Sequence, residues 1–188
     1  MTMEYAQGGR DPDADAPEEV VWQGRFITAK KRGRWEYVSR ARGIRAAVIL
    51  AVEDGHVLLV EQYRVPLGRN CIELPAGLIG DDEGTQGEDP LAAAGRELEE
   101  ETGYRAGQME IVGDFYSSPG MVSESFILVM ARGLQKIGEG GGTNNENIMP
   151  HRIALAELPD FLASQREKGT AIDVRLLALL GGGLLASG

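Results

Sequence analysis

The chain has 188 residues, enough for one domain with a small appended element, and its 29 acidic against 19 basic residues give a formal net charge of −10. This acidic balance excludes an extended nucleic-acid-binding surface, which would need clustered Lys and Arg. No apolar run approaches the roughly 18 residues that span a membrane, and Cys71 is the only cysteine, so we expect a cytoplasmic protein without disulfides.

The N-terminal part divides into two segments of different composition. Residues 1–18 are acidic and poor in apolar side chains, and we expect a disordered tail. Residues 19–42 alternate aromatic and β-branched residues around a Gly33 turn, which predicts a hairpin or three short strands. So small a sheet must pack on the main domain or on a second subunit. Its aromatic side chains either stack on a base or pack in a core or an interface: Trp22, Phe26 and Trp35.

Two apolar runs follow, 46–52 and 57–63, joined by an Asp54-Gly55 turn signal, and they predict a central hairpin. Arg64 ends the second run, where it either clamps a phosphate or carboxylate bidentately or forms a surface ion pair. A short strand at 72–74 then leads into Pro75-Ala76-Gly77, whose backbone carbonyls are suitable ligands for a hard cation.

The next segment reads as a capped helix. Asp89 is a good N-cap, Pro90 suits the first turn, and Gly103 suits the left-handed residue after the last turn. Three acids fall within about 100° of arc on this helix, at the rim of its apolar stripe: Glu97, Glu100 and Glu101.

Like charges within one turn destabilise a helix, and Arg96 offsets only part of that repulsion. A solvated acidic face is the usual explanation of an acidic run taken alone. A site for Mg²⁺, which prefers oxygen ligands shared with substrate phosphates, is the alternative that the surrounding residues favour.

The remaining chain predicts strands at 110–115, 125–131 and 148–155 and helices at 156–168 and 171–180. Pro119-Gly120 marks a turn between the first two strands. Residues 138–147 form a Gly/Asn-rich segment that we expect to be a mobile loop.

One motif carries a family resemblance. Glu88, seven residues, and then Arg96-Glu97-Leu98-Glu99-Glu100-Glu101-Thr102-Gly103-Tyr104 resemble the signature box of the Nudix hydrolases, Gly-x5-Glu-x7-Arg-Glu-U-x-Glu-Glu-x-Gly-U, in which U is bulky and apolar. The front end departs from that pattern, because Asp82 stands where the family has Gly. Gly77 resembles the missing glycine, and the loop after it is five residues longer.

The resemblance implies an α+β fold, an α/β/α sandwich around a mixed sheet, over residues 43–188, with a small N-terminal antiparallel β-sheet over 19–42. It also implies two or three Mg²⁺ ions per site, with Mn²⁺ as the alternative, and a cluster oriented by Arg96. The metal ligands that it implies are Glu97, Glu101, the neighbouring Glu100 and the carbonyl oxygen of Ala76. Glu146 is expected as the general base or as a further ligand. Asn144 stands where some relatives have an acid, which leaves the base open, with a box carboxylate such as Glu100 as the fallback.

Pro119, sixteen residues after Gly103, resembles the mark of the ADP-ribose pyrophosphatase branch, as do the segments VEQYR, IELPAG and SSPG. This resemblance implies hydrolysis of ADP-ribose to AMP and ribose 5-phosphate in a homodimer that exchanges N-terminal sheets. We expect substrate contacts from Arg64, Trp35, Pro119 and Glu124.

Three alternatives stay open. One is hydrolysis of another nucleoside diphosphate sugar, such as GDP-mannose, and another is a non-catalytic Nudix-fold nucleotide sensor. The third is an isopentenyl diphosphate isomerase that would use Cys71, although a buried apolar role suits that cysteine better.

Overall fold

The computed structural model describes residues 9–41, 44–80, 87–143 and 146–176. They form two compact units. The smaller unit contains the described residues up to Ala41 together with Ser118–Glu124, and the larger contains Ile44–Ser117 and the described residues from Ser125 onward. The acidic Asp82, the Asn144 position and the end of the last predicted helix, residues 177–180, lie outside the described residues.

The strands are β1 (Glu18–Gln23), β2 (Ile27–Arg32), β3 (Trp35–Arg40), β4 (Arg45–Glu53), β5 (His56–Arg64), β6 (Arg69–Glu73), β7 (Ala76–Ile79), β8 (Tyr104–Arg105), β9 (Gln108–Tyr116), β10 (Ser125–Arg132), β11 (Gln135–Lys136), β12 (Met149–Ala154) and β13 (Ala171–Ile172). The α-helices are α1 (Pro90–Thr102) and α2 (Leu158–Glu167), and short 3-10 turns cover Val65–Leu67 and Val174–Leu176. Among the described helices, none is long and apolar enough to cross a membrane.

The smaller unit is an antiparallel sheet of β1, β2 and β3, the second of the two arrangements predicted for this segment. Ser118–Glu124 extends it, because the Val38 amide donates to the Met121 carbonyl and the Ser123 amide donates to the Val38 carbonyl, both at 3.0 Å. Part of the predicted tail is also ordered: the Asp13 carboxylate accepts from the Arg34 side chain at 2.7 Å. The expectation of disorder was based on composition alone, and composition does not reveal individual contacts such as this ion pair.

The larger unit is a mixed sheet in the order β13-β6-β5-β4-β10-β9, with β12 also paired to β5 and β7 to β4. Side chains alternate across β4, so Val48 and Leu50 face one core with α2, whereas Ala47 and Ile49 face the other core with α1. Helices therefore cover both faces, which confirms the predicted α/β/α sandwich.

The predicted box helix is confirmed: it spans Pro90–Thr102, and Gly103 ends it with φ of +74°. Asp89 occupies the N-cap position, but its side chain makes no capping hydrogen bond. The helix predicted from Ala171 is wrong over the described part of that segment. Residues Ala171 and Ile172 pair in parallel with Cys71 and Ile72, and a 3-10 turn follows. Local propensity favoured a helix, but pairing with the open edge of β6 supplies the backbone hydrogen bonds instead.

Candidate active site

Glu101 is the most deeply buried acid of the box helix, with 4% of its surface exposed, and so lies deeper than the predicted rim position. Its Oε2 accepts a hydrogen bond from the Ala76 amide at 3.0 Å, which ties the helix to the first residue of β7. Burial raises the pKa of this carboxyl to about 8, and the charges of Glu97 and Glu146 add to the rise. The Ala76 hydrogen bond and the positive charge of Arg64 act in the opposite direction but do not cancel it.

Glu97 lies one turn earlier on the same face and is partly buried. Burial raises the pKa of this carboxyl too, against the lowering effect of Arg96, and the charges of Glu100 and Glu146 contribute to the rise. The guanidinium of Arg96 lies 2.8 Å from the Glu97 carboxylate, 3.4 Å from that of Glu100 and 3.7 Å from that of Glu88. Arg96 thus contacts three of the box acids at once.

Gly77 makes the close approach of β7 and α1 possible. A Cβ atom at this position would overlap the carboxyl group of Glu97. Any side chain would therefore push the Glu97 carboxylate away from the strand or separate the strand from the helix. This contact gives a physical reason for glycine at the position that we matched to the front of the Nudix box.

Glu73, just before β7, is another buried acid, and two arginines hold it. Arg64 donates to both of its carboxylate oxygens, at 2.5 and 2.7 Å, and Arg175 donates to one of them at 3.1 Å. Arg64 therefore forms an ion pair, as one of the two alternatives predicted, but its partner is buried. Contact between Arg64 and a phosphate stays a prediction.

Glu146 follows the glycine-rich segment, and its Oε2 accepts a hydrogen bond from the Thr143 amide at 3.0 Å. Its charge raises the pKa of both Glu97 and Glu101, so these three carboxylates belong to one electrostatic cluster. Two amides of the preceding segment, those of Gly141 and Gly142, bond to carbonyls of α1, each at 2.9 Å. Part of the loop that we expected to be mobile is thus anchored to the helix.

The donor set at this cluster fits a hard divalent cation, because carboxylate oxygens are the ligands that Mg²⁺ prefers. Within the described part of the chain, no three Asp, Glu, His or Cys side chains are already grouped at metal-binding geometry. Glu97 accepts a hydrogen bond from Arg96, and Glu101 accepts one from the Ala76 amide. Each carboxylate would have to reorient partly away from its donor to bind a cation.

A separate cleft of about 320 Å³ lies in the smaller unit. Its lining brings together two predicted substrate residues, Trp35 and Pro119, and the other lining residues are Arg32, Tyr37, Gly120, Val122 and Ser123. Glu124 follows Ser123 and pairs with Arg40. Trp35 is about half exposed, which excludes a core position and is compatible with either stacking on a base or packing in an interface.

Several residues of these sites were not found from the sequence. Arg32 and Tyr37 line the cleft, yet their spacing in β2 and β3 carries no motif. Glu73 did carry a signal, because an acid inside the apolar run CIELP must have a cationic partner if it is buried. Cys71 is buried and burial raises the pKa of its thiol to about 12, which argues against acid/base chemistry at this residue.

The sequence and the fold of this chain are similar to those of known proteins. A family model described as a NUDIX domain matches residues 41–179. The chain is 37% identical over 136 residues to a methanol dehydrogenase activator of Bacillus methanolicus, a match covering 71% of each protein. It is 30% identical over 185 residues to an ADP-ribose pyrophosphatase of Saccharomyces cerevisiae, covering 94% of this chain and 74% of the relative. A crystal structure of an ADP compounds hydrolase superposes with a TM-score of 0.67 at 25% identity and covers 92% of this chain and 94% of that one.

The raised pKa of Glu101 predicts that the contribution of this residue to stability falls as the pH rises from about 4.5 to about 8. An unfolded glutamate ionises near 4.5, whereas the folded Glu101 keeps its proton up to about 8. Between these values the unfolded state binds fewer protons, so the free energy of unfolding decreases with pH. Urea unfolding at several pH values with EDTA present measures this slope. The slope should be smaller in Glu101→Gln but not in Glu99→Gln, and parallel curves for wild type and Glu101→Gln would contradict the assignment.

Proposed function

Because the chain belongs to the Nudix family, we propose that it is a metal-dependent hydrolase that cleaves the diphosphate bond of ADP-ribose to AMP and ribose 5-phosphate. The observation that carries this proposal is the cluster of Glu97, Glu101 and Glu146, in which burial and the charge of Glu146 raise the pKa of both Glu97 and Glu101. The yeast ADP-ribose pyrophosphatase and the ADP compounds hydrolase, each aligned with more than nine-tenths of this chain, support the choice of substrate.

The acids of α1 supply the metal ligands in this proposal. Glu97, Glu100 and Glu101, with the Ala76 carbonyl oxygen, would hold two or three Mg²⁺ ions, or Mn²⁺ in their place. Such ions neutralise a bound diphosphate and lower the pKa of water so that it can attack phosphorus. Arg96 keeps the carboxylates in place, which its three contacts to box acids support.

Glu146 takes the proton from the attacking water in this proposal, and Glu100 is the fallback base. The water oxygen bonds to one phosphorus, the bond from that phosphorus to the bridging oxygen breaks, and the other half of the substrate leaves as a phosphate monoester. The anchored segment before Glu146 supports its role, because a base must be held within hydrogen-bond reach of its water.

The cleft of the smaller unit is proposed to bind the nucleoside part of the substrate. Trp35 offers a half-exposed indole for stacking on the base, and Arg32 offers a positive charge at the same cleft. Pro119 and Gly120 also line this cleft, in the segment hydrogen-bonded to β3.

Catalysis by this cluster is tested by hydrolysis assays of the purified protein with Mg²⁺ on ADP-ribose, GDP-mannose, ADP-glucose, NADH and diadenosine polyphosphates. ADP-ribose should be consumed with the highest kcat/KM, and chromatography should find AMP and ribose 5-phosphate. Glu101→Gln should lower kcat by about a hundredfold or more, because the amide cannot replace the carboxylate as a ligand of the proposed cation.

Glu99→Gln is the matched control, since Glu99 lies on the same helix but pairs with Arg105 at the surface. It should retain near wild-type turnover. Preference for GDP-mannose would favour the other sugar nucleotide, whereas nucleotide binding without hydrolysis of any substrate would favour the sensor.

Trp35→Ala should raise KM for ADP-ribose about tenfold or more with a smaller change in kcat, because it removes stacking worth roughly 1–3 kcal/mol per base. Trp22→Ala controls for the loss of an exposed indole, because Trp22 lies on β1 and does not line the cleft. Its kinetics are compared at a protein concentration where its mass in gel filtration equals that of the wild type. Steady-state kinetics of both variants would separate the cleft from a general effect of losing an indole. An unchanged KM in Trp35→Ala would remove Trp35 from the substrate site.

A homodimer is proposed on the apolar surface of the smaller unit. Four large apolar side chains of this unit are each more than half exposed: Val20, Val21 and Trp22 on β1, and Phe26 between β1 and β2. Light scattering during gel filtration should give twice the mass of one chain, and Val21→Lys should shift it toward the monomer. A monomeric wild type at micromolar concentration would contradict the dimer.

A further inference from the structure

The last turn of α1 has unusual partners for its carbonyl groups. The final four carbonyls of an α-helix have no partner within the helix and need one outside it. Here the Gly103 amide bonds to the Glu99 carbonyl at 3.0 Å, the Gly142 amide to the Glu100 carbonyl and the Gly141 amide to the Glu101 carbonyl, both at 2.9 Å. The peptides that carry two of the proposed metal ligands therefore also bind the loop.

A second pair of bonds fixes the start of the same segment. The amides of Ile137 and Gly138 both donate to the Gly103 carbonyl, at 2.8 and 3.1 Å. Residues 137–142 thus run against the end of the helix and bond to it at both ends of the segment. We call this segment the loop anchor.

Gly140 is the point of closest approach between the loop anchor and the helix. Its φ of +70° is a left-handed conformation, and a Cβ would lie 2.5 Å from both the Glu101 carbonyl oxygen and the Thr102 carbonyl carbon. Both neighbours are backbone atoms that cannot rotate away, so only glycine fits. Gly138 differs: among the described atoms none lies within 4 Å of a Cβ built there, and its φ is not in the left-handed range.

The loop anchor leads directly to Glu146. The Ile148 amide bonds to the Gly141 carbonyl at 3.2 Å, which closes a loop around Glu146. Inside this loop the Thr143 amide donates to the Glu146 carboxylate. A Cβ on Gly142 would lie 2.8 Å from Glu146 Oε2, so the Glu146 carboxylate lies next to the last residue of the loop anchor.

We propose that the loop anchor is a positioning device, in which Gly140 lets the loop bind the backbone of Glu100 and Glu101 and thereby places the Glu146 carboxylate against the acids of the same helix. Gly140 is a positioning residue, since it acts through Glu146 and does not touch the substrate. The effect on turnover rests on the proposed hydrolysis, whereas the geometric part does not.

The test compares Gly140→Ala with Gly138→Ala, which add the same methyl group two residues apart. Gly140→Ala should lower kcat for ADP-ribose about tenfold to a hundredfold, because displacement of a reacting group by about 1 Å has an effect of this size. KM should change less than about threefold, and Gly138→Ala should stay within about twofold of wild type in both constants. Wild-type turnover in Gly140→Ala would overturn the proposal.

A double-mutant cycle separates positioning from general damage. In the Glu146→Gln background, Gly140→Ala should add less than about a twofold loss, because the carboxylate through which it acts is gone. The same loss in both backgrounds would show that Gly140 does not act through Glu146. Gly142→Ala, whose added Cβ would lie nearest to Glu146 and Ile148, should give the same non-additive pattern, and it replaces Gly140→Ala in the cycle if that variant fails to fold.

Hydrogen exchange supplies a readout that does not need activity. The amides of Gly141 and Gly142 should be protected in the wild type and in Gly138→Ala, and should exchange faster in Gly140→Ala. Equal exchange in all three proteins would overturn the anchor even if hydrolysis is confirmed. Protection that is lost in Gly140→Ala, in a protein that hydrolyses no substrate, would support the anchor and contradict the proposed function.

Discussion

The proposed active site depends on the burial of one carboxyl group, that of Glu101, because burial raises its pKa and favours its protonated form. The Glu101 carboxyl group accepts a hydrogen bond from the Ala76 amide, and the charges of Glu97 and Glu146 raise its pKa further. Burial of such a group makes folding less favourable at neutral pH, unless a partner of opposite charge stabilises the ionised carboxylate. In the proposed function this partner is a divalent cation, which prefers carboxylate oxygens as ligands.

Glycines allow backbone segments to reach these acids. Gly77 brings β7 against Glu97, and Gly140 brings the loop anchor against the end of α1. In both places a side chain would collide with the box helix, so two different segments converge on one helix through positions without a Cβ. Ala94 and Leu98 pack α1 against the sheet, so β7 and the loop anchor both contact a helix that is itself held in place by the core.

The features predictable from the sequence were those that local patterns encode. The box helix and its glycine stop, the hairpin of β4 and β5 and the three N-terminal strands follow from caps, alternation and turn residues. The pairing of β13 with β6 and the ion pair of Arg175 with Glu73 join residues about 100 positions apart, and no local pattern contains them. Trp35 and Pro119 were predicted separately as substrate residues, but only the fold places them in one cleft with Arg32 and Tyr37.

Proton release on cation binding tests the central claim most directly. If Glu101 holds a proton near neutral pH because it is buried, a cation that binds its carboxylate must displace that proton. Calorimetric titration with Mn²⁺ at pH 7, in buffers of different ionisation enthalpy, measures the number of protons released. We predict binding with net proton release in the wild type. Binding without release, or no binding at millimolar Mn²⁺, would contradict the account.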